Sequence, residues 1–246
     1  MSALYRLTTT ESRLFFREPI SVIFALLLPP VLLVVLGLIP SFREPNEGLG
    51  GLRLIDIYTP IVVAIAITTL AITGLPQQFA TYREKGVLRR MRTTPVRPVA
   101  MLGALLIMST VMSLFTLVAV LGIARFGFDV ELPQLPAAYL TAYLLTALAM
   151  FAVGLLVASL APSGAAASAI GLVLFFPMLF FAGLWIPRDA MSDVLRTISD
   201  FTPLGAGVQA LQDAAAGEWP QLLHVAVMLG WTIVAGALAA RYFRWE

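Results

Sequence analysis

The chain has 246 residues, of which 59% are hydrophobic and only 12% are charged. Soluble domains carry about one quarter charged residues, so a water-soluble fold is excluded and most of the chain must lie in lipid. Cysteine is absent and His224 is the single histidine, which excludes thiolate chemistry and metal sites built on several imidazoles. We interpret residues 1–246 as one all-α membrane domain.

The first 18 residues predict an amphipathic helix in the headgroup layer of a membrane. Its apolar and basic side chains separate onto two faces at helical spacing, so the arginines can reach lipid phosphates. Pro19 marks where the next helix can begin. A frayed, disordered N-terminus is the alternative. The apolar face comprises Leu4, Leu7, Leu14 and Phe15, and the polar face comprises Arg6, Thr10, Arg13 and Arg17.

Charge-free blocks predict six transmembrane helices. A bilayer core of about 30 Å needs about 20 apolar residues in a helix, and the blocks 19–42, 57–82 and 98–124 each supply one. The block 132–187 supplies two, separated by a turn at Pro162-Ser163-Gly164. The first block is too long for the apolar region of a signal peptide, so we expect it to remain in the protein. The predicted spans are 20–40, 57–80, 99–124, 137–160, 165–186 and 221–240.

Basic residues concentrate in the segments that this six-span order places on one side. Residues 1–18, 83–97 and the C-terminal tail hold eleven of the 16 basic residues, whereas the opposite segments hold ten of the 14 acidic ones. Because Lys and Arg are retained on the cytoplasmic side, we predict that both ends of the chain are cytoplasmic. A five- or seven-span order would instead distribute the basic and acidic residues over both sides of the membrane.

Residues 81–98 predict a short cytoplasmic helix that Pro95 and Pro98 end before the third span. One interpretation is a basic anchor on anionic lipid, at about 1 kcal/mol per basic residue. The other is a docking helix for a cytoplasmic partner, which we favour because an anchor needs charge but no helical stripe. Lipid contact is compatible with both. The stripe comprises Glu84, Val87, Leu88 and Met91, and the basic face comprises Lys85, Arg89 and Arg92.

Residues 187–217 predict two short amphipathic helices that re-enter the membrane from outside. The segment is too polar to span, and non-helical backbone at membrane depth must be buried in protein. We therefore expect the pair to pack against the spans, with a surface loop as the alternative. The apolar stripes are Met191, Val194, Leu195 and Ile198 before Pro203, and Leu204, Val208 and Leu211 after it.

The chain lacks the motifs of an energy-converting enzyme. No G-x-x-x-x-G-K-[ST] phosphate loop occurs, and H-E-x-x-H and G-x-S-x-G are missing as well. The predicted spans contain no Asp, Glu, Lys or Arg in their interiors, although ion-coupled carriers usually place such groups at mid-membrane. A sodium site built from backbone carbonyls remains an alternative. We interpret His224 as an interfacial residue at the start of the last span.

Two segments resemble the ABC-2 type transporter permeases. YREKGVLRRMRTTPVRPVAMLGALL (82–106) is similar to the family's cytoplasmic loop, where an acidic-basic helix, a T-T-P turn and the third span follow in order. FFAGLWIPRDAMSDVLRTISDFTPLGAGVQALQDAAAG (180–217) resembles the region after the family's fifth span. The six-span frame covers nearly the whole chain, and its compact form is similar to daunorubicin-resistance-type drug exporters.

The resemblance implies a half-transporter in the cell membrane of a bacterium. Two permeases, as two copies or as a pair of paralogues, would join two separate ATPase subunits that bind ATP and Mg²⁺. The chain itself would bind no cofactor and no nucleic acid, and it would contact membrane lipids. Carried over by motif, the ATPase-coupling residues are Glu84, Lys85, Gly86, Arg89, Arg90 and Arg92. The residues of an outer, re-entrant gate are Gly183, Pro187, Pro203 and Leu204.

The resemblance further implies a substrate path between the two permeases, lined by spans that include the second and the fifth. Its polar and aromatic side chains would suit an amphipathic, drug-like or lipid-like substrate that is exported, as in multidrug efflux. Ordinary helix packing is the alternative role for these residues. The candidates are Thr68, Thr69, Thr73 and Gln77 on the second span and Phe176, Met178 and Phe180 on the fifth.

Two other function classes compete with an ATP-driven exporter. A secondary carrier or channel would transport without any ATPase and follow an ion gradient. A non-transport membrane scaffold or sensor would have no need of an ATPase, so a phosphate-loop ATPase encoded by a neighbouring gene would argue against it.

Overall fold

The computed structural model describes residues 3–17, 22–47, 51–91 and 98–242, and every regular element in these ranges is helical. A short 3-10 turn, Arg188–Ala190, lies between the helices that end at Phe181 and begin at Asp193. The helices are α1 (Ala3–Arg17), α2 (Ile23–Leu38), α3 (Pro40–Arg43), α4 (Leu54–Glu84), α5 (Val87–Met91), α6 (Pro98–Phe128), α7 (Pro136–Leu160), α8 (Gly164–Phe181), α9 (Asp193–Phe201), α10 (Pro203–Ala215) and α11 (Leu222–Tyr242).

Among the described residues, five helices are long and apolar enough to cross a membrane, which makes the chain a multi-pass membrane protein. They are α4, the Ala100–Phe128 part of α6, α7, α8 and α11. The helix in the first predicted span, α2, is shorter. Helix α8 ends at Phe181, before the predicted limit at residue 186, because Gly183 turns the backbone with φ of +87°.

Helix α4 lies at the centre of the bundle. In its most apolar window 89% of the residues are buried inside the protein, against 22% in α8 and in α11. Helices α2, α6, α7, α8 and α10 all pack on α4, whereas α11 packs mainly on α7. The centre is therefore a helix whose apolar residues contact protein all round, and α8 and α11 present most of their surface outward.

In the described part of the chain, both π-helical turns end two residues before a proline. The turn Ile23–Leu27 opens α2 before Pro29, and the turn Thr69–Gly74 interrupts α4 before Pro76. Proline has no N–H and its ring crowds the carbonyl four residues earlier, so the helix widens there. One such carbonyl, that of Ala25, accepts a hydrogen bond from Thr116 Oγ1 at 3.4 Å.

Two glycines bring neighbouring helices against the backbone of the π-helical turn in α4. A Cβ added at Gly154 of α7 would lie 1.9 Å from the Ala71 carbonyl oxygen. A Cβ added at Gly171 of α8 would lie 2.6 Å from the Ile72 carbonyl oxygen. Small residues permit such close approach between membrane helices, so α7 and α8 hold α4 by direct contact with its backbone.

The bundle has two ends that we name by the helices they carry. The α5 end holds α1, α5 and the turn between α7 and α8, because α1 and that turn both contact the last two turns of α4. The α10 end holds α9, α10 and the start of α11. There the Arg53 guanidinium donates to Asp56 and to the carbonyls of Phe128 and Asp129. The Asp56 hydrogen bond raises the pKa of Arg53 above its ordinary value.

The structure divides the predicted helix over 81–98 into two pieces. Helix α4 continues to Glu84, a turn follows at Lys85-Gly86, and α5 begins at Val87. Gly86 has a φ of +68°, which interrupts the helix between Glu84 and the rest of the predicted stripe. Residues 92–97 lie outside the described residues.

The two predicted stripes of 187–217 have different surroundings. On α10, Leu204, Val208 and Leu211 are buried against the bundle. On α9, Val194 and Ile198 are 69% and 43% exposed. Met191 is 5% exposed and Leu195 is half-buried, so this chain covers the first stripe in part and the second stripe fully.

Candidate functional site

A cavity of about 600 Å³ lies beside α4, between the middle of the bundle and its α5 end. Five helices and the Lys85 turn enclose it, so the wall is assembled from distant parts of the sequence. The lining includes Phe15 of α1, Phe24 and Leu28 of α2, Ser109 of α6, and Ser168, Leu172 and Phe176 of α8, together with a face of α4. A cavity of this size is in the range of small-molecule sites.

The α4 wall is polar along a single line of side chains. Thr69, Thr73, Gln77 and Thr81 follow one another at intervals of four residues, which places them on one face of α4, and Lys85 continues the interval in the turn after the helix. The threonine hydroxyls donate to carbonyls of the preceding helical turn. Their oxygen lone pairs are therefore left to accept hydrogen bonds from a molecule in the cavity.

The opposite wall is mainly apolar and open at the side. Ser168, Leu172 and Phe176 repeat the four-residue interval on α8, and Phe24 belongs to α2. The exposed fractions of Leu172, Phe176 and Phe24 are 51%, 55% and 53%. The cavity is thus a groove with one polar side and one apolar side, and an amphipathic molecule matches that division.

At the α5 end, α1 is attached to the cavity wall by a buried acid. Glu11 is 2% exposed, and its Oε2 accepts hydrogen bonds from Gln78 Nε2 at 3.0 Å and from Tyr82 Oη at 2.8 Å. Gln78 and Tyr82 themselves line the cavity. Helix α1 therefore has a specific polar contact to α4 besides its amphipathic surface.

Four of the seven predicted lining residues meet at this cavity: Thr69, Thr73, Gln77 and Phe176. Thr68 is fully buried and donates to the Ala64 carbonyl, away from the cavity. Met178 packs against the core and Phe180 against Phe181. The contributions of α1, α2 and α6 were missed. The four-residue intervals on α4 and α8 are a signal that could have identified Thr81, Lys85, Ser168 and Leu172.

The predicted ATPase-coupling residues lie on both sides of the Gly86 turn. Arg89 and Arg90 are exposed on α5, and Leu88 anchors that helix with 1% exposure. Lys85 is exposed and reaches the cavity mouth. Glu84 is exposed but its Oε2 accepts a hydrogen bond from the Gly164 N–H at 3.1 Å. Arg92 lies outside the described residues.

At the α10 end, the predicted gate residues surround a charged cluster that the sequence analysis did not find. Arg188 contacts Asp200, and Asp200 Oδ1 is 3.0 Å from His224 Nε2. His224 Nδ1 lies 3.9 Å from Asp213 Oδ2, and neither atom has a hydrogen-bond partner within the part of the chain described. We name this set of four side chains the polar cluster.

His224 is 2% exposed, so it is a buried residue of the polar cluster rather than an interfacial one. The run of apolar residues in the last span predicted only where that helix begins. The burial comes from α9 and α10, which cover the start of α11 and bring two carboxylates to the imidazole.

The four predicted gate residues lie in the turns and the helix start that are next along the chain to Arg188 and Asp200 of the polar cluster. Gly183, with its positive φ, ends α8, and Pro187 leads into the Arg188–Ala190 turn. Pro203 opens α10, where Thr202 Oγ1 caps the Gly205 N–H at 3.1 Å, and Leu204 is fully buried. Ser199 Oγ donates to the Phe181 carbonyl at 2.6 Å and thereby ties α9 to the end of α8.

Comparison with known proteins assigns these features to a family. The profile described as ABC-2 type transporter matches residues 2–215, which include α1, the cavity walls, α5, α9 and α10. No curated protein sequence matches the chain. Because the profile spans most of the chain, the chain belongs to the ABC-2 type transporter family.

Proposed function

We propose that the chain is the permease subunit of an ATP-driven exporter that moves an amphipathic, drug-like or lipid-like substrate out of a bacterial cell. One observation carries the proposal: α4 supplies the polar wall of the cavity and continues, across Lys85 and Gly86, into the arginine-bearing α5. A force on α5 therefore acts on the cavity through a short covalent link. Separate ATPase subunits supply that force.

In the proposed topology six helices span the membrane and the α5 end faces the cytoplasm. Segments rich in Lys and Arg gather at that end, as retention of positive charge requires. Helix α2 is the sixth span; at about 1.5 Å per residue it covers about 24 Å. Moderate thinning of the bilayer beside it can accommodate this length.

The proposed cycle couples ATP binding to a change of packing in the permease. Closure of the ATPases pushes on Arg89, Arg90 and their neighbours, with α1 beside them. Because α7 and α8 touch the backbone of α4 through Gly154 and Gly171, the bundle changes between two discrete packings rather than bending gradually. A second permease, as an identical copy or a paralogue, completes the transporter and its outer gate.

The proposed substrate class follows from the two sides of the groove. Hydroxyl and amide groups on α4 bind the polar part, and Phe24, Leu172 and Phe176 contact the apolar part. The open side admits a molecule directly from the bilayer. A daunorubicin-type exporter of the drug-resistance subgroup is a specific form of this proposal.

The direct test is co-purification of the chain with the products of its neighbouring genes, among which we expect a phosphate-loop ATPase. We expect the two proteins in equal amounts, with ATP hydrolysis stimulated by the transported substrate. Arg89→Glu together with Arg90→Glu should detach the ATPase because two attractive charges become repulsive. The yield and helicity of the permease should stay unchanged.

Arg125→Glu is the control, since Arg125 is an exposed arginine at the last turn of α6, far from α5. The proposed coupling surface is wrong if the double variant keeps both its ATPase and its transport. Transport by the isolated chain along an ion gradient would instead support a secondary carrier.

Substitution of two phenylalanines of α8 tests whether the cavity binds the substrate. Phe176→Ala should raise the substrate concentration for half-maximal ATPase stimulation about tenfold, because it removes apolar contact from the groove. Phe180→Ala is the matched control on the same helix, and its side chain is not part of the cavity lining. Equal substrate profiles for the two variants would contradict the assignment.

A further inference from the structure

The turn between α7 and α8 is held by the last two residues of α4. Arg83 Nη2 donates to the Ala161 carbonyl, and Glu84 Oε2 accepts from the Gly164 N–H at 3.1 Å. Ala161 follows the last residue of α7, and Gly164 is the first residue of α8. Two adjacent side chains of α4 thus reach two different helix ends.

The charges of this contact match the helix ends that they meet. The C-terminus of a helix carries partial negative charge and unsatisfied carbonyls, which suits the Arg83 guanidinium. The N-terminus carries partial positive charge and unsatisfied N–H groups, which suits the Glu84 carboxylate. The pair is therefore complementary to the α7–α8 turn, and exchanging the two charges would be unfavourable at both ends.

The contact between α4 and α8 extends along the whole of α8. At the turn, a Cβ on Gly164 would lie 2.3 Å from Thr81 Oγ1, and in the middle Gly171 contacts the Ile72 carbonyl. Just beyond the far end of α8, Tyr58 Oη donates to the Leu184 carbonyl at 3.1 Å. Contacts at three levels leave little freedom for one helix to slide along the other.

We propose that Arg83 and Glu84 form a joint through which movement of α5 reaches α8, so that α4 and α8 move as one body. The inference rests on the proposed function. Both walls of the groove then shift together, because α4 carries the polar residues from Thr69 to Thr81 and α8 carries Ser168, Leu172 and Phe176. Glu84 is a positioning residue in this role, and its carboxylate binds the permease itself rather than the ATPase.

The test uses the native absence of cysteine. Glu84→Ala in the permease–ATPase complex should lower substrate stimulation of ATP hydrolysis about tenfold, with the ATPase still bound. Glu84→Gln, which keeps an acceptor oxygen without charge, should lose less. Ala80→Cys and Ala167→Cys, at two fully buried positions of one small cluster, should then form a disulfide between α4 and α8 under iodine. We expect that disulfide to restore stimulation to Glu84→Ala, and a reductant to remove it again.

Each outcome separates the joint from other roles of Glu84. Glu44→Ala is the control variant. It removes an exposed acid that directly follows α3, and it should leave substrate stimulation of ATP hydrolysis unchanged. Loss of the ATPase from Glu84→Ala would show contact with the ATPase and overturn the joint. The joint is also overturned if Glu84→Ala keeps full substrate stimulation of ATP hydrolysis. The same holds if the two cysteines form no disulfide, or if the disulfide forms and does not restore stimulation. If the wild-type chain binds no ATPase, the proposed function itself fails and the inference falls with it.

Discussion

Gly154→Ala should destabilise the folded chain by about 3 kcal/mol, whereas Gly230→Ala should have little effect. The added methyl group at Gly154 meets the carbonyl oxygen of Ala71 at 1.9 Å and its carbonyl carbon at 2.9 Å. Backbone atoms cannot rotate away as a side chain does, so α7 must separate from the π-helical turn of α4. Because that turn is central in the bundle, the separation also disturbs the cavity wall at Thr69 and Thr73.

Gly230 is a matched control because it lies inside a candidate span, α11, and has no atom within 4 Å of an added Cβ. Alanine is also the better helix former by about 1 kcal/mol. Unfolding of the purified variants in mixed micelles, followed by circular dichroism, measures the difference. Equal midpoints for Gly154→Ala and Gly230→Ala would mean that α7 and α4 do not approach as closely as described.

Asp200→Ala should cost about 2 kcal/mol, because the half-buried Arg188 guanidinium and the buried His224 imidazole lose a shared hydrogen-bond acceptor. Asp200 is the shared partner of Arg188 and His224 in the polar cluster. Its loss leaves the Arg188 guanidinium with Ser199 Oγ at 3.2 Å and leaves His224 Nε2 without its acceptor. Helix α9 should then loosen from α8 and from α11.

Asp193→Ala is the control within the same helix. Asp193 is exposed in the first turn of α9, where a carboxylate contributes less than about 1 kcal/mol. Asp200→Asn should fall between the two, since it keeps an acceptor oxygen. Proteolysis of the α9–α10 segment in proteoliposomes reports the loosening; equal cleavage of all three variants and the wild type would remove the cluster's structural role.

Much of the helical frame could be predicted because lipid imposes a simple rule on the sequence. Backbone groups in hydrocarbon must bond within a helix, so charge-free blocks indicate α4, α6, α7, α8 and α11 directly. The turn at Pro162-Ser163-Gly164 was equally readable, since the block containing it is too long for one helix. Helix ends were less predictable: the positive φ at Gly183 stops α8 in a region that is still apolar.

The candidate site was predictable only in part. Residues of α4 and α8 could be proposed because they lie in polar or aromatic positions of two spans. The contributions of Phe15, Phe24 and Ser109 come from helices that are adjacent in space but not in sequence. Glu84 illustrates the same limit, since its partner is a backbone N–H eighty residues away, and backbone groups leave no mark in the residue pattern.

The amino-acid pattern was enough to show that this protein lies in a membrane and crosses it with helices, and it predicts that the basic residues gather on one side. Those properties depend on transfer of individual residues between water and lipid, which is additive along a chain. The folded structure was needed to show which helix is central, where the groove lies, and how His224 becomes buried between two acids. Those properties depend on close contacts between segments that are distant in the sequence. A single glycine, or a backbone carbonyl without its helical N–H partner, can determine how two helices pack.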